Sequence, residues 1–549
     1  MALLIGAGVF LVGIVLFSEC LKRNASRSTS ALFKKIGNNR FVGYGVGFLI
    51  TAIVQSSAAT TVTAIGLVNA GMLTLVQAAA IMLGSHAGTT STLFLVSLSN
   101  FDIRYLFMIL GFAGALVKIV TKNKRWVNIA EVFISFLILF VGLTLMGGAL
   151  RDNLQLREFF IELFRTIDFP ILLVLFGMVF TVILQSSTAS TSLFLMMIVE
   201  GLLGLNSAMF LGLGAVIGSS STALLASVTV KANGKRAALL NFLFSIIGVG
   251  GFTCILWLFG PYIVPVFENA IPLVWQFPVF QLSYNLIAAS VLIWFIKPLS
   301  WLTCRMIKEK EKPKKEKDIV HTLYIDDNLL TTPSIAVDLA EKEIKGMMDK
   351  TRANLVLGFN ALVYQDLTYK KKIKKEEEII DILSRDITKY IGKLTERSIS
   401  ENENIILSSF CRVVLDIERV GDYARKMLKD ANRMKKKKSA FSKKDMKQLQ
   451  DLFSKVISLF DLSMEIFNDR DATKLEHVYT LDKEIDTIKS KLAFGHAMWL
   501  KAGQYFTTGG EYFYAAISDM ERVADHLTNV AISMCQRQQA EEEEEEAEN

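Results

Sequence analysis

The sequence predicts an all-α protein built from a polytopic membrane domain followed by a helical domain in the cytoplasm. Three observations carry this prediction: long apolar segments dominate the first 300 residues, long amphipathic segments dominate the remainder, and each part contains an internal duplication. The predicted boundaries are a transmembrane domain at 1–300, a linker at 301–333, a helical domain at 334–538 and a disordered acidic tail at 539–549.

The distribution of charge supports a membrane domain. Charged residues of the first part cluster in short breaks between apolar segments, as they do in membrane proteins. The segment 1–17 has neither a basic start nor a small-residue cleavage site, which favours a first membrane span over a signal peptide. No Lys/Arg-rich stripe with interleaved aromatic residues occurs, so the lipid bilayer is a predicted partner and nucleic acid is not.

The membrane part is a tandem duplication. TAIVQSSAATT at 51–61 returns as TVILQSSTAST at 181–191, so that Gln55 and Gln185 lie 130 positions apart. GSHAGTTST and GAVIGSSST, which begin at Gly84 and Gly214, have the same spacing. The predicted repeats are 1–129 and 130–300.

The loop charges predict that the two repeats have opposite orientations. The loop at 21–40 contains six basic residues and no acidic one, whereas its counterpart at 151–168 mixes both signs. Since basic loops stay on the cytoplasmic side, equivalent loops lie on opposite sides of the membrane. Inverted repeats of this kind are common in secondary transporters, and this arrangement leaves the C-terminal domain in the cytoplasm.

Each repeat contains a segment that predicts a re-entrant helical hairpin. The segments 41–70 and 171–200 are long enough for two half-helices and are interrupted by Gln-Ser-Ser. An ordinary span with a serine-rich packing stripe is the alternative. A broken helix offers free N–H groups and hydroxyls to an anion, and carbonyl and hydroxyl oxygens to a small cation.

The apolar segments contain almost no ionisable residues, which favours coupling to sodium. Asp102, Lys118, Glu131 and Glu200 are predicted to lie near span ends, and His86 is predicted to have a structural role ahead of a ligand or pH-sensing role. Without a buried basic residue, a bound anion needs a co-bound cation for neutralisation. This argument does not identify the anion.

The paired Gln-Ser-Ser segments, the FLVG and LFVG segments and the GTTST and GSSSTALLAS stretches resemble the bacterial sodium–phosphate cotransporter family over about 6–298. The resemblance implies that inorganic phosphate is the substrate and that sodium is the coupling ion. It implies substrate-binding roles for Gln55, Ser56, Ser57, Gln185, Ser186 and Ser187. It implies sodium-binding roles for Thr60, Thr89, Thr90, Thr188, Ser219, Ser220 and Ser221.

The sequence departs from the family pattern at four positions. Ala58 and Thr188 stand where the family has a third serine, and His86 and Val216 stand where it has asparagine. The number of sodium ions that move with each phosphate is therefore left open.

The second part predicts six amphipathic helices, arranged as two three-helix bundles. DIERVGD at 416–422 returns as DMERVAD at 519–525. Within each copy a Glu and an Asp lie four residues apart and therefore on one helix face, where they either bind a metal or are solvated. We also expect Arg419 and Arg522 to pair locally with Asp416 and Asp519.

This duplicated pattern resembles the PhoU family over about 334–537. The resemblance implies a divalent cation or iron at Glu418, Asp422, Glu521 and Asp525, and less directly at Glu377, Asp381, Asp482 and Asp486.

Together these features predict sodium-coupled transport of inorganic phosphate across the cytoplasmic membrane, regulated by the PhoU-like domain. No P-loop, G-x-S-x-G or HExxH motif occurs, so an enzyme is not predicted. The alternatives are a membrane-anchored sensor of phosphate or metal without transport, and a transporter of another small anion. A homodimer is a possible assembly, and the direction of net transport is open.

Overall fold

The computed structural model describes residues 1–34, 39–98, 101, 103–121, 123–167, 169–308, 322–397, 399, 401–501 and 509–548. The chain divides into two compact units, Met1–Lys312 and Pro313–Asn549. The described residues form helices and no strands, so the predicted all-α fold is confirmed.

The first unit contains twelve α-helices among its described residues. Their bounds are α1 Ala2–Lys34, α2 Arg40–Val54, α3 Ser57–Asn69, α4 Leu75–Ser97, α5 Ile103–Val120, α6 Lys124–Asp152, α7 Leu154–Thr166, α8 Pro170–Leu184, α9 Ser187–Val199, α10 Leu205–Ala226, α11 Ala232–Ala270 and α12 Leu273–Met306. Six of them, α1, α4, α6, α10, α11 and α12, are long and apolar enough to cross a membrane.

The helices beside the Gln-Ser-Ser motifs are too short to cross alone. At 1.5 Å per residue, α2 and α8 are roughly 22 Å long and α3 and α9 roughly 20 Å, against a hydrocarbon core of about 30 Å. Each pair is interrupted at Gln-Ser: Gln55 and Gln185 have left-handed backbones with φ of 57° and 53°, and the following serines are extended.

Packing against α4 shows that the chain reverses between α2 and α3. Gly47 of α2 lies against Ile81 and Thr51 lies against Gly88, so both helices advance in the same direction. The short connection at 70–74 turns α3 antiparallel to α4. Since α2 is parallel and α3 antiparallel to one helix, they form a hairpin whose tip is the Gln-Ser break.

The second repeat has the same packing 130 positions later. Gly177 of α8 lies against Leu211, Thr181 lies against Gly218, and the connection at 200–204 returns α9 antiparallel to α10. The predicted interruption at each motif is therefore a hairpin in both repeats.

The first helices of the two repeats, α1 and α6, pack antiparallel at very close range. A Cβ atom at Gly13 would lie 2.5 Å from the backbone nitrogen of Leu139, and one at Gly142 would lie 2.3 Å from that of Phe10. Gly13 and Gly142 are equivalent positions of the FLVG and LFVG segments. Antiparallel packing of equivalent helices is the relation that repeats of opposite orientation require.

The second unit consists of two three-helix bundles, as predicted. Their helices are α13 Pro333–Tyr364, α14 Lys370–Thr395, α15 Glu401–Lys437, α16 Lys443–Asp469, α17 Leu475–Lys501 and α18 Gly510–Glu548. The first three pack together, as do the last three. The stacked rings of Phe359 and Phe453 join α13 to α16, with their centroids 3.8 Å apart.

Two predicted segment boundaries differ from the structure. The acidic segment at 539–549 was predicted to be disordered, but α18 continues through it to Glu548, since glutamate is a strong helix former. α12 continues past residue 300 to Met306, and residues 309–321 of the predicted linker lie outside the described residues. The end of that linker is ordered because the buried Glu343 carboxylate accepts hydrogen bonds from the backbone of 323–325.

The close contact of α1 with α6 predicts that Gly13→Leu destabilises the membrane domain. The added side chain has no room against Leu139, and overpacking of this kind costs about 1–3 kcal/mol. Thermal unfolding of the purified protein in detergent should show a lower Tm. Gly8→Leu on the same helix is the control, because no atom lies within 4 Å of a Cβ at Gly8. Equal Tm values for the two variants would contradict the packing.

Candidate functional site

The tips of the two hairpins have the same hydrogen bonding. Ser56 and Ser186 are the N-cap residues of α3 and α9, and each hydroxyl accepts a hydrogen bond from the backbone three residues on, at 3.2 Å. Serine is a preferred N-cap because it satisfies one of the free N–H groups at a helix start. The next residues, Ser57 and Ser187, are the first helical residues of α3 and α9.

One cavity in the membrane unit lies between the two repeats. Its volume is about 30 Å³. Its lining comes from both hairpins and from α4, α10 and α12. The lining residues are Ser57, His86, Thr89, Thr90, Leu93, Ser187, Thr191, Ala215, Val216, Ser219, Gln281 and Asn285.

The lining hydroxyls of Thr89, Thr191 and Ser219 present oxygen lone pairs. Each donates its proton to a carbonyl of its own helix, at 3.0 Å, 2.8 Å and 2.9 Å respectively. A hydroxyl has one proton, so these oxygens can only accept a hydrogen bond or coordinate a cation. They suit a small hard cation such as sodium.

The amide of Gln281 is a hydrogen-bond donor in the same lining. Gln281 is buried, and its Nε2 has no hydrogen-bond partner among the described residues. A Cβ at Gly212 would lie 2.0 Å from this nitrogen, so the glycine of α10 leaves the room that the amide occupies. A buried N–H without a partner at membrane depth is costly, so this group is suited to donate to a ligand.

α12 was missed as a source of lining residues. Gln281 and Asn285 lie one helical turn apart, and Asn285 donates to Thr90 Oγ1 at 3.1 Å. Two amides at i and i+4 in an apolar helix are the signal that could have identified this face. They lie outside the duplicated motifs, which is why a search for repeats passed over them.

Five of the thirteen predicted binding residues of the membrane part line the cavity: Ser57, Ser187, Thr89, Thr90 and Ser219. Ser56 and Ser186 are helix caps beside it. The other six do not line it: Gln55, Gln185, Thr60, Thr188, Ser220 and Ser221.

The two glutamines of the motifs differ from each other. Gln55 is half-buried, donates to Ser91 Oγ at 3.0 Å and accepts from Thr92, which holds it against α4. The side chain of Gln185 is exposed. His86 lines the cavity, and its Nε2 lies 3.2 Å from Asn241 Oδ1.

The first bundle of the second unit gathers carboxylates from α14 and α15. Oxygen atoms of Glu377, Asp381 and Asp422 all lie within 4.8 Å of one another. Burial raises the pKa of Asp381, and the neighbouring Glu377 and Asp422 raise it further. Burial raises the pKa of Glu418, and the negative charges of Asp422 and Asp381 raise it further. Glu418 is therefore a fourth carboxylate beside the cluster.

The residues present in this cluster fit a bound cation. Glu377 accepts a hydrogen bond from Arg425 through Oε1, whereas its buried Oε2 has no hydrogen-bond partner among the described residues. Oxygen-rich clusters of this kind suit Mg²⁺, Mn²⁺ and Ca²⁺.

The second bundle contains the equivalent acids with different partners. Glu521 accepts from Lys489 at 2.8 Å, and Asp482 accepts from Thr528 at 3.1 Å. Burial raises the pKa of Asp525, and Glu521 and Asp482 raise it further.

The expected local pairing of Asp416 and Asp519 is wrong. Asp416 lies 2.9 Å from His526 Nδ1, and Asp519 accepts from Lys426. These pairs join α15 to α18, since the equivalent helices of the two bundles pack against each other. The repeated spacing within one helix could not reveal partners that the other helix supplies.

Hairpins interrupted at a shared polar cavity are an architecture of secondary transporters. The chain belongs to the Na+/Pi-cotransporter family, whose model matches residues 9–148 and 156–298. The PhoU domain model matches residues 344–431 and 449–534. Both predicted resemblances are thus confirmed.

Similar proteins agree with this membership. YjbB of Escherichia coli (strain K12), named for inorganic phosphate export, is 24% identical over 504 residues, which cover 90% of each chain. The uncharacterised protein YqeW of Bacillus subtilis is 28% identical over 37% of this chain and 65% of its own. A PhoU homolog of Rhizobium meliloti is 24% identical over 34% of this chain and 78% of its own. No solved structure matches the chain.

The raised pKa values of Asp381 and Glu418 predict a pH dependence of local stability in metal-free protein. Between the ordinary carboxyl pKa, about 4, and the raised values, the folded state binds protons more tightly than the unfolded state. The stability of the first bundle therefore falls as pH rises through this window.

This effect is measured by amide hydrogen exchange of α14 as a function of pH, on the full chain in the presence of a chelator. The exchange rates are corrected for the pH dependence of intrinsic exchange. Asp381→Asn should increase the protection of α14 from exchange at neutral pH and make this protection less dependent on pH. Asp386→Asn on the same helix is the control and should leave the profile as in wild type. An unchanged profile in Asp381→Asn would contradict the electrostatic origin.

Proposed function

We propose that this protein moves inorganic phosphate together with sodium through the cavity between the two hairpins, and that its PhoU domain regulates this movement. The observation that carries the proposal is the meeting of Ser57 and Ser187, the first residues of two broken half-helices, in one cavity. The family and the phosphate-related name of YjbB support phosphate as the substrate.

Two helix N-termini favour an anion at this position. Free N–H groups and the positive ends of the α3 and α9 dipoles lie at Ser57 and Ser187, and the Gln281 amide adds a donor. No Asp, Glu, Lys or Arg is among the described lining residues. The anion is therefore held by hydrogen bonds and dipoles rather than by a basic side chain.

The acceptor oxygens of Thr89, Thr191 and Ser219 supply the complementary cation site. A phosphate bound without a basic partner in a low-dielectric cavity carries an unpaired charge, which is very costly. Sodium at these oxygens offsets that charge, so each substrate promotes the binding of the other. This mutual dependence is the physical basis of the proposed coupling.

Alternating access follows from the proposed inversion of the repeats. The antiparallel packing of α1 with α6 supports that inversion, and the cavity then lies between two halves that can rock against each other. Net direction depends on the gradients of phosphate and sodium, and the name of YjbB favours efflux.

We further propose that the acidic cluster of the first bundle binds a divalent cation. Asp381, Asp422 and the free Oε2 of Glu377 would hold it, with Glu418 beside them. The cation would neutralise carboxylates that otherwise repel one another, and would thereby lock α14 to α15.

Phosphate flux into proteoliposomes tests the transport function. We expect uptake of labelled phosphate that rises with an inward sodium gradient and falls at least tenfold in Ser57→Ala/Ser187→Ala. Ser454→Ala/Ser458→Ala, on an exposed face of α16, is the control and should transport like wild type. If the protein is folded and inserted but shows no phosphate flux under any gradient, the alternative of a membrane-anchored sensor is favoured. If sulfate or arsenate competes with labelled phosphate for uptake, the alternative of a transporter of another anion is favoured.

The donor role of Gln281 predicts a loss of phosphate affinity in Gln281→Leu. A hydrogen bond to a charged group contributes about 1.5–3 kcal/mol, equivalent to a KM for phosphate about ten- to hundredfold higher. Gln276→Leu is the control, because this buried glutamine of α12 donates to the backbone of Ile271 and lies outside the cavity. An unchanged KM in Gln281→Leu would remove Gln281 from the anion site.

A further inference from the structure

The two acidic clusters of the PhoU domain occupy equivalent positions but differ in the basic side chain that each contains. Glu377 and Asp381 of α14 correspond to Asp482 and Asp486 of α17, 105 positions later. The Glu and Asp of DIERVGD likewise correspond to those of DMERVAD. The duplication therefore supplies both bundles with the same four carboxylates.

Two positions distinguish them. Arg425 of the first cluster donates to Glu377 Oε1 with a side chain that is 55% exposed, and it corresponds to Thr528 of the second. The other position lies on the face of the preceding helix. Ser384 of the first bundle corresponds to Lys489 of the second, at the same spacing of 105. The Lys489 ammonium lies 2.8 Å from Glu521 Oε1, and both side chains are largely shielded from solvent, at 30% and 20% exposure. Ser384 is buried and uncharged.

One further acid of the second cluster, Asp482, has a partner within the chain. Thr528, at the position of Arg425, donates to Asp482 Oδ1 at 3.1 Å. In the first cluster the buried Glu377 Oε2 has no partner, and three carboxylates converge within 4.8 Å. Among the described residues, the acids of the second bundle form no such group.

We propose that only the first cluster binds a divalent cation and that Lys489 is the built-in cation of the second. The inference rests on the proposed metal binding of the first bundle. A cation entering the second cluster must displace the shielded ammonium that neutralises Glu521, and the two positive charges would repel at short range. In the first cluster Arg425 occupies only Oε1 of Glu377 and leaves the buried Oε2 free for a cation. The second bundle is therefore stable without metal, whereas the first gains stability when metal binds.

Metal content of the full-length protein tests this assignment. After equilibration with Mn²⁺ and removal of free ion, mass spectrometry of the metal should find one Mn²⁺ per chain in wild type. Lys489→Ser should raise the content to two, and Ser384→Lys should lower it to zero. Lys483→Ser, an exposed lysine of the same helix, is the control and should leave the content at one.

The reciprocal exchange Ser384→Lys/Lys489→Ser keeps the net charge and should again bind one Mn²⁺. Hydrogen exchange then locates it, because protection by Mn²⁺ should move from α14 and α15 to α17 and α18. This readout also separates a lost ion from a misfolded bundle in the Ser384→Lys variant.

The outcomes separate this inference from the proposed function. Two Mn²⁺ in wild type, or one in Lys489→Ser, would overturn the role of Lys489 while leaving metal binding by the domain intact. No Mn²⁺ in wild type or in Lys489→Ser would overturn metal binding itself, and the inference with it. Phosphate flux in proteoliposomes is measured separately and is not decided by these results.

Discussion

The membrane unit depends on one constraint: backbone groups freed by a broken helix need partners at membrane depth. Ser56 and Ser186 satisfy one group each, and both hairpins pack against α4 and α10. Ser57 and Ser187, the first residues of the two half-helices, line a shared cavity. In our proposal, the break that is costly for a membrane helix provides the binding site for an anion.

The cavity combines donors and acceptors from different sources. Hydroxyls that donate back to their own helices leave acceptor oxygens, whereas helix starts and the Gln281 amide supply donors. A site with both characters and no fixed charge is suited to an anion and a cation together. Each ion then lowers the cost of burying the other.

In the second unit, carboxylates of like charge lie close together. Four carboxylates on neighbouring helix faces repel, and the raised pKa values of Asp381, Glu418 and Asp525 reflect their burial and proximity. Each bundle contains one basic partner, Arg425 on Glu377 and Lys489 on Glu521, and in our proposal the first bundle also binds an external cation. Under that proposal, the domain has one bundle whose stability depends on metal and one whose stability does not.

The helical class, the two duplications and the positions of the motifs can be predicted from the sequence, because they follow from local periodicity and repetition. The sequence could not distinguish Ser57, which lines the cavity, from Ser56, which caps α3, since adjacent residues at a helix start point in different directions. It also passed over Gln281, whose neighbours come from α10, and it paired Asp416 with the wrong helix. These points depend on the fold, because a ligand site and an ion pair are contacts between segments distant in the chain, and local spacing carries no information about them.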